Sequence, residues 1–221
     1  MNIALITANY GGYMEPQPLP HGLDVPDFVV TDGPLCTVPG WVTLPCVPRP
    51  GLHPRKMSRL PKLAPFSFLP SGYDAAVWID ASITLTDPEF PIWAVEHLGS
   101  NKHLAAARHP DRDCIYTEVE AAAGLTKLAY DAETMRAQVD TYQKASHHKH
   151  AGLWAMTVLA WRNSLVTESL GLDVWRQVFQ WSDLDQLALP FVLPHYEGVL
   201  ADLPLNITNN PYFIWKNRTD Q

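Results

Sequence analysis

Positive charge is scarce in this chain: 16 Lys and Arg stand against 23 Asp and Glu, a formal net charge of -7. Unspecific binding to DNA or RNA draws its affinity from Lys and Arg on phosphates. Nucleic acid is therefore not an expected partner. Cysteine is also sparse. Cys36, Cys46 and Cys114 show no CxxC spacing and no even framework, so they read as free thiols in a reducing compartment. No apolar run approaches the about 18 residues that a membrane helix needs. The apolar start MNIALITANYGG lacks a basic n-region and a cleavage site, so no signal peptide is expected and the expected address is the cytoplasm. What is abundant is apolar: 47% of the residues are hydrophobic and 18% charged, the balance of an ordered globular chain. The 221 residues suffice for one large domain with a real core. There is no internal repeat, and residues 1–221 read as a single domain.

Ile3 to Thr7 is a short apolar run before the turn signal Asn9-Tyr10-Gly11-Gly12, a first strand ending in a loop. Asp27 to Gly33 reads as a second strand and Trp41 to Val47 as a third, with Pro45 placing it at an edge or a bulge. The Pro-rich stretches 14–26 and 45–54 read as loops. Residues 55–69 predict a short or broken helix, because Pro61 and Pro65 interrupt it. Strands follow at 75–79, 103–110 and 152–161. Helical patterns cover 114–125, 132–144, 164–180 and 184–193. The tail, 206–221, is polar and aromatic without a clear period. Alternating strands and helices predict an α/β fold with a mostly parallel sheet, whose ligands sit beyond the carboxyl ends of the strands.

In YDAAVWIDASITLT, residues 73–86, an apolar run ends abruptly in Asp80. An unpaired buried carboxylate is costly, so a donor, a metal or a ligand must face it. Asn9, Asp32 and His109 fall at other strand ends. Arg59 and Lys62 precede the Asp80 strand, where basic side chains suit phosphates. Asp183 or Asp185 reads as an N-cap on physical grounds alone. Arg112 reads as a partner for Glu118 that braces the loop. The histidines of HHKH, His147, His148 and His150, lack cysteine partners and read as a loop rather than a zinc site. Trp154, Trp161, Trp175 and Trp181 read as core.

Together these segments resemble a known family. WIDASITL resembles the DxD region of nucleotide-sugar glycosyltransferases of the GT-A fold. More specifically, the chain resembles the glycosyltransferase-like domain family, formerly of unknown function, that includes plant proteins once described as alkaline ceramidases. The matching segments run in order over about residues 55–193. SRLPKLAP carries Arg59 and Lys62, and WIDASITL carries Asp80. RHPDRDCIYTE carries His109, Arg112, Tyr116 and Glu118. Lys127 follows, then Gln138 and Tyr142 in QVDTY, and Asp185 and Gln186 in WSDLDQLALPFVL.

The resemblance implies a GT-A-like α/β fold, a nucleotide-sugar donor and an acceptor it does not specify. It implies donor contacts from Thr7, Asn9, Tyr10 and Asp32 at the first two strands. Arg59, Lys62, Asp80, His109 and Arg112 complete the expected donor set. Asp185 and Gln186 are the expected catalytic pair, since an Asp-Gln pair lies near the anomeric carbon in retaining transferases of related fold. Asp80 is the expected ligand of a divalent cation, Mn²⁺ or Mg²⁺. Two departures bear on that cation. Ser82 stands where a full DxD has its second carboxylate, and the tail FIWKNR has no clear match for the histidine that commonly completes such a site. The alternatives are a catalytically inactive sugar-nucleotide binding module and a metal-dependent hydrolase.

Overall fold

The computed structural model describes residues 1–47, 49–125 and 131–215; Lys127 and residues 216–221 of the tail lie outside them. The first strand, β1 (Ile3–Asn9), is buried along nearly its whole length and lies inside the main sheet, beside its central strand. β2 (Asp27–Thr31) and β3 (Val42–Pro45) extend the sheet on one side of it, and β4 (Ala75–Ile79) lies on the other. Beyond β4 come β7 (Trp154–Arg162), β6 (Leu104–Arg108) and β8 (Leu200–Leu203). The order is β3-β2-β1-β4-β7-β6-β8. Every pair is parallel except the two made by β7, which runs antiparallel to β4 and to β6. β5 (Ile83–Leu85) and β9 (Phe213–Trp215) form a separate antiparallel pair.

The expected edge position of the third strand holds: β3 ends at Pro45, which has no N–H to give a further neighbour. β1 reaches further than expected, so Asn9 is its last residue rather than part of the turn.

Helices cover both faces. α1 (Pro54–Leu63), α5 (Leu165–Gln180) and α6 (Asp185–Val192) pack on one face, burying Met57, Leu63, Leu170, Val174 and Leu189 with Ile6 and Trp78. α2 (Phe90–Leu98) packs on the other with Phe90, Ala94 and Leu98 against Leu5, Val77 and Ala105. α3 (Ile115–Ala123) and α4 (Ala132–Lys144) build a smaller cluster with α6 around Ile115, Met135 and Leu187. Trp154, Trp161 and Trp175 are core as expected, while Trp181 is half-buried.

The helix starts follow local chemistry. Ser164 Oγ accepts from Thr167 N at 3.1 Å, and Asp131 Oδ1 accepts from Thr134 N at 3.1 Å. α1 starts with Pro54, whose missing N–H costs nothing in a first turn, and His53 Nδ1 accepts from Arg55 N at 3.2 Å. The expected break in this segment falls after Leu63, where a 3-10 turn runs over Pro65–Ser67; Pro61 stays inside the helix. Three elements carried no expectation at all, α2, β5 and β8. β9 falls in the tail that showed no period.

The carboxyl ends of β1, β2, β4 and β6 emerge on one edge of the sheet. The β6–β7 register shifts there: Ala106 pairs with Leu159 but Ala107 with Ala155. Such an irregularity bends a strand and re-aims side chains. Asp80 N donates to Thr157 O inside the shifted stretch, at 2.9 Å. Among the described residues, no helix is long and apolar enough to cross a membrane.

Candidate functional site

Asp80 stands one residue beyond β4, its side chain 28% exposed where the strand leaves the core. Its Oδ1 accepts from Trp78 Nε1 at 2.8 Å and from Lys62 Nζ at 3.3 Å. Trp78 and Asp80 are two residues apart in an extended segment, so they share a face. Among the described residues, both partners of this carboxylate sit on Oδ1, which leaves Oδ2 for a ligand.

Lys62 is 2% exposed and held from both sides. Its Nζ lies 2.8 Å from Asp185 Oδ2, and it stands over the Trp78 ring. Arg59, one turn earlier on α1, lies 3.6 Å from the same Asp185 oxygen and donates to Asp183 O at 3.1 Å. Arg55, a further turn back, pairs with the Asp183 carboxylate at 2.9 Å. Residues 55, 59 and 62 share one helix face, so α1 presents a basic stripe to residues 183–185. α1 comes this close because Gly171 of α5 faces the Leu63 carbonyl; a Cβ there would lie 1.9 Å from the oxygen.

Asp185 does not cap α6. Leu184 holds the cap position, with no side-chain cap bond there, and Asp185 opens the helix with its carboxylate on Lys62. Asp183 is likewise spent on Arg55. Burial alone would raise the Asp185 carboxyl, but the Lys62 and Arg59 charges outweigh it and hold the group below the usual carboxylate range.

Gln186, the next residue, faces a second cluster. Its Nε2 donates to Glu118 Oε1 at 3.2 Å. Glu118 Oε2 pairs with Arg112 Nε, the brace expected from the sequence. His109 Nδ1 accepts from the N–H groups of Asp111 at 3.2 Å and Arg112 at 3.1 Å. His109 Nε2 lies 3.1 Å from Arg112 Nη2 and 3.8 Å from Glu118 Oε2. Burial, with help from Arg112, lowers the pKa of the ring and keeps it neutral, against the pull of Glu118. His109 thus fixes its own loop. The adjacent residues Asp185 and Gln186 tie the end of β4 to the end of β6.

The residues at the first strands form a separate group. Thr7 is fully buried inside β1, and its hydroxyl has no hydrogen-bond partner among the described residues. Asn9 spends its amide on the loop that follows, giving to Glu15 Oε1 at 3.1 Å and accepting from Met14 N at 3.2 Å. Tyr10 is buried, and Asp32 accepts from Gly11 N at 2.8 Å, joining the β1 and β2 loops. No hydrogen bond or ion pair among the described residues links these four to Asp80. Gln138 and Tyr142 are structural. Gln138 Oε1 accepts from Ser182 Oγ at 2.6 Å, and its Nε2 donates to Tyr142 OH at 2.8 Å. Trp78 was missed as a site residue, although its two-residue spacing from Asp80 signalled it.

A divalent cation needs several hard oxygens. Asp80 offers one oxygen not already bonded, Ser82 is neutral, and an ammonium already occupies the other side of the carboxylate. Among the described residues, no three His, Cys, Asp or Glu side chains converge to hold a metal. His150, from the histidine-rich loop, pairs with Asp113 at 2.7 Å instead. The donor set around Asp80 does not fit a resident Mn²⁺ or Mg²⁺.

The strand order of the main sheet and its antiparallel strand β7 define a GT-A fold, as two solved structures bear out. The chain superposes on the mouse xyloside xylosyltransferase 1 apo structure with a TM-score of 0.52 and 7% identity, covering 91% of this chain and 84% of that one. It superposes on a WbbM bifunctional glycosyltransferase apo structure at 0.52 and 14% identity, covering 92% of this chain and 39% of that one. The glycosyltransferase GlyE of Streptococcus pneumoniae TIGR4 matches with a TM-score of 0.48 and 10% identity, over 92% of this chain and 45% of that one. The chain thus spans less than half the length of the last two. No curated protein matches it by sequence. The family model described as TOD1/MUCI70, glycosyltransferase-like domain, matches residues 38–164, and the chain belongs to that family. The match includes Arg59, Lys62, Asp80, His109, Arg112 and Glu118; Asp185 and Gln186 lie beyond it.

Proposed function

We propose that the chain transfers a glycosyl group from a nucleoside-diphosphate sugar, bound at the carboxyl edge of the sheet, to an acceptor hydroxyl. The observation that carries this reading is the clamped carboxylate of Asp80 at the end of β4, fixed by Trp78 and Lys62 within a GT-A fold. Glycosyl transfer breaks the bond between the anomeric carbon and the diphosphate and forms one to the acceptor oxygen. The departing diphosphate gathers negative charge, which fixed cations stabilise. Arg59 and Arg112 flank the Asp80 and Gln186 clusters and are the guanidinium groups assigned to it. Asp80 accepts a hydroxyl of the donor on Oδ2. Asp185, 2% exposed beneath Lys62, acts through that lysine and is a positioning residue. Gln186 holds Glu118, and with it Arg112.

The test is a thermal-shift panel of nucleoside diphosphates on the purified chain, followed by hydrolysis and transfer assays with the matching nucleotide sugars. A ligand bound only by the native state raises its apparent stability by mass action. One nucleoside diphosphate is expected to raise Tm, and its sugar conjugate is expected to turn over. Asp80→Asn is expected to keep the fold and to lose at least about 100-fold in turnover, near 2.7 kcal/mol of barrier. A shift without any turnover identifies a binding module instead. Silence across the whole panel ends the donor reading.

A further inference from the structure

Lys62 Nζ stands 3.3 Å from Oδ1 of Asp80, the carboxylate that the resemblance to GT-A transferases assigns to a divalent cation. We infer that this ammonium takes the cation's place, and that the chain binds its nucleoside diphosphate without a divalent metal. The inference rests on the nucleotide-sugar reading and adds to it the charge chemistry of the site.

Four observations carry it. Lys62 Nζ reaches Asp80 Oδ1 at 3.3 Å and Asp185 Oδ2 at 2.8 Å, with its side chain 2% exposed. The charge is therefore built in rather than recruited: α1 delivers it, and a second, fully buried carboxylate keeps it there. A buried ammonium beside Asp80 repels a second cation strongly, because the surrounding dielectric is low. Ser82 completes the argument. A divalent cation between Asp80 and a diphosphate needs another hard anionic ligand, and Ser is a poor one. The two carboxylates already face two cations, Lys62 and Arg59. A metal has no unneutralised anion here to bind until the diphosphate itself arrives. Trp78 Nε1, on Asp80 Oδ1 at 2.8 Å, locks the same rotamer. A carboxylate held in this way is preorganised to accept a hydroxyl and not to wrap an ion.

The experiment is calorimetry on the full chain. MnCl₂ alone is titrated first, then each nucleoside diphosphate in excess EDTA and again in excess MnCl₂, corrected for the metal–nucleotide complex. The expected result is no heat from Mn²⁺ alone and nucleotide affinities that agree within about threefold in the two buffers. Micromolar binding of Mn²⁺ alone, or a gain of about tenfold or more with Mn²⁺, overturns the inference and leaves the nucleotide reading standing. No nucleotide binding in either buffer removes the donor reading and this inference with it. Lys62→Met combined with Ser82→Asp removes the ammonium and supplies the second carboxylate; its nucleotide affinity is expected to become Mn²⁺-dependent. An affinity still indifferent to Mn²⁺ in the folded double variant overturns the role given to Lys62. Where the double variant fails to fold, Ser82→Asp alone decides. It keeps Lys62 and is expected to stay indifferent to Mn²⁺; metal dependence in that single variant would show that Lys62 is not what excludes the ion.

Discussion

At the scale of single residues, the site depends on one buried ammonium shared between a half-buried and an enclosed carboxylate. Removing one member of a buried pair typically costs about 3–5 kcal/mol, since the other charge is left uncompensated. Asp185→Asn leaves Lys62 with Asp80 at 3.3 Å as a partial partner. The expected loss is therefore smaller, about 2–4 kcal/mol of unfolding free energy. Replacing both members by apolar residues of similar volume, Lys62→Met with Asp185→Leu, is expected to recover most of it. The double variant should still fail to bind nucleotide, because the ammonium beside Asp80 is gone. Urea unfolding and calorimetry on the same preparations check both statements. An Asp185→Asn variant as stable as the parent chain would show that this pair does not hold the site.

Among the elements, α1 matters most for function, and its position is set by a close approach rather than by its own sequence. Gly171 lets the α1 carboxyl end lie directly on α5. Gly171→Ala would place a methyl 1.9 Å from the Leu63 oxygen, a clash that only backbone movement relieves. Overpacking of this kind costs about 1–3 kcal/mol, sometimes more. The displaced segment contains Lys62, so nucleotide affinity should fall together with Tm. Far-ultraviolet circular dichroism melts and the nucleotide titration read both. An unchanged Tm would contradict the packing described between α1 and α5. α6 has a related duty: its first two residues send side chains to two clusters, and the helix is held from below by Leu187 and Leu189.

For the molecule as a whole, stability against pH reflects a group far from the site. Asp27 starts β2, and burial raises its pKa from 3.8 to about 7; its Oδ1 has no hydrogen-bond partner among the described residues. The folded chain keeps this proton up to about pH 7, whereas the unfolded chain loses it near 3.8. Between those values the native state binds more protons. Its stability therefore falls as pH rises through that window, by at most about 1.4 kcal/mol per pH unit from this group. Asp27→Asn removes the titration. Its Tm advantage over the parent chain is expected to grow from pH 4 to 7 and then level off. A difference that stays constant from pH 4 to 8 would rule out the raised carboxyl.

The sequence by itself determined the α/β class, most strand and helix spans, and Asp80 as the point where an apolar strand meets something polar. These are local properties: period, caps, and an apolar run broken by one carboxylate. α2 escaped because Pro91 at its start resembles a break although it is harmless in a first turn. β8 and β9 escaped because four and three residues are too short to show alternation. The antiparallel direction of β7 left no trace, since a strand buried on both faces has the same pattern whichever way it runs. The basic stripe at 55, 59 and 62 was present at helical spacing, but its partners at 183 and 185 lie far along the chain. Only the packing of α1 against α5 and α6 decided that Asp185 neutralises Lys62 instead of capping its own helix. It likewise decided that Gln186 belongs to the Glu118 cluster. A side chain's partner is set by which surfaces meet, and those surfaces come together only when distant segments pack.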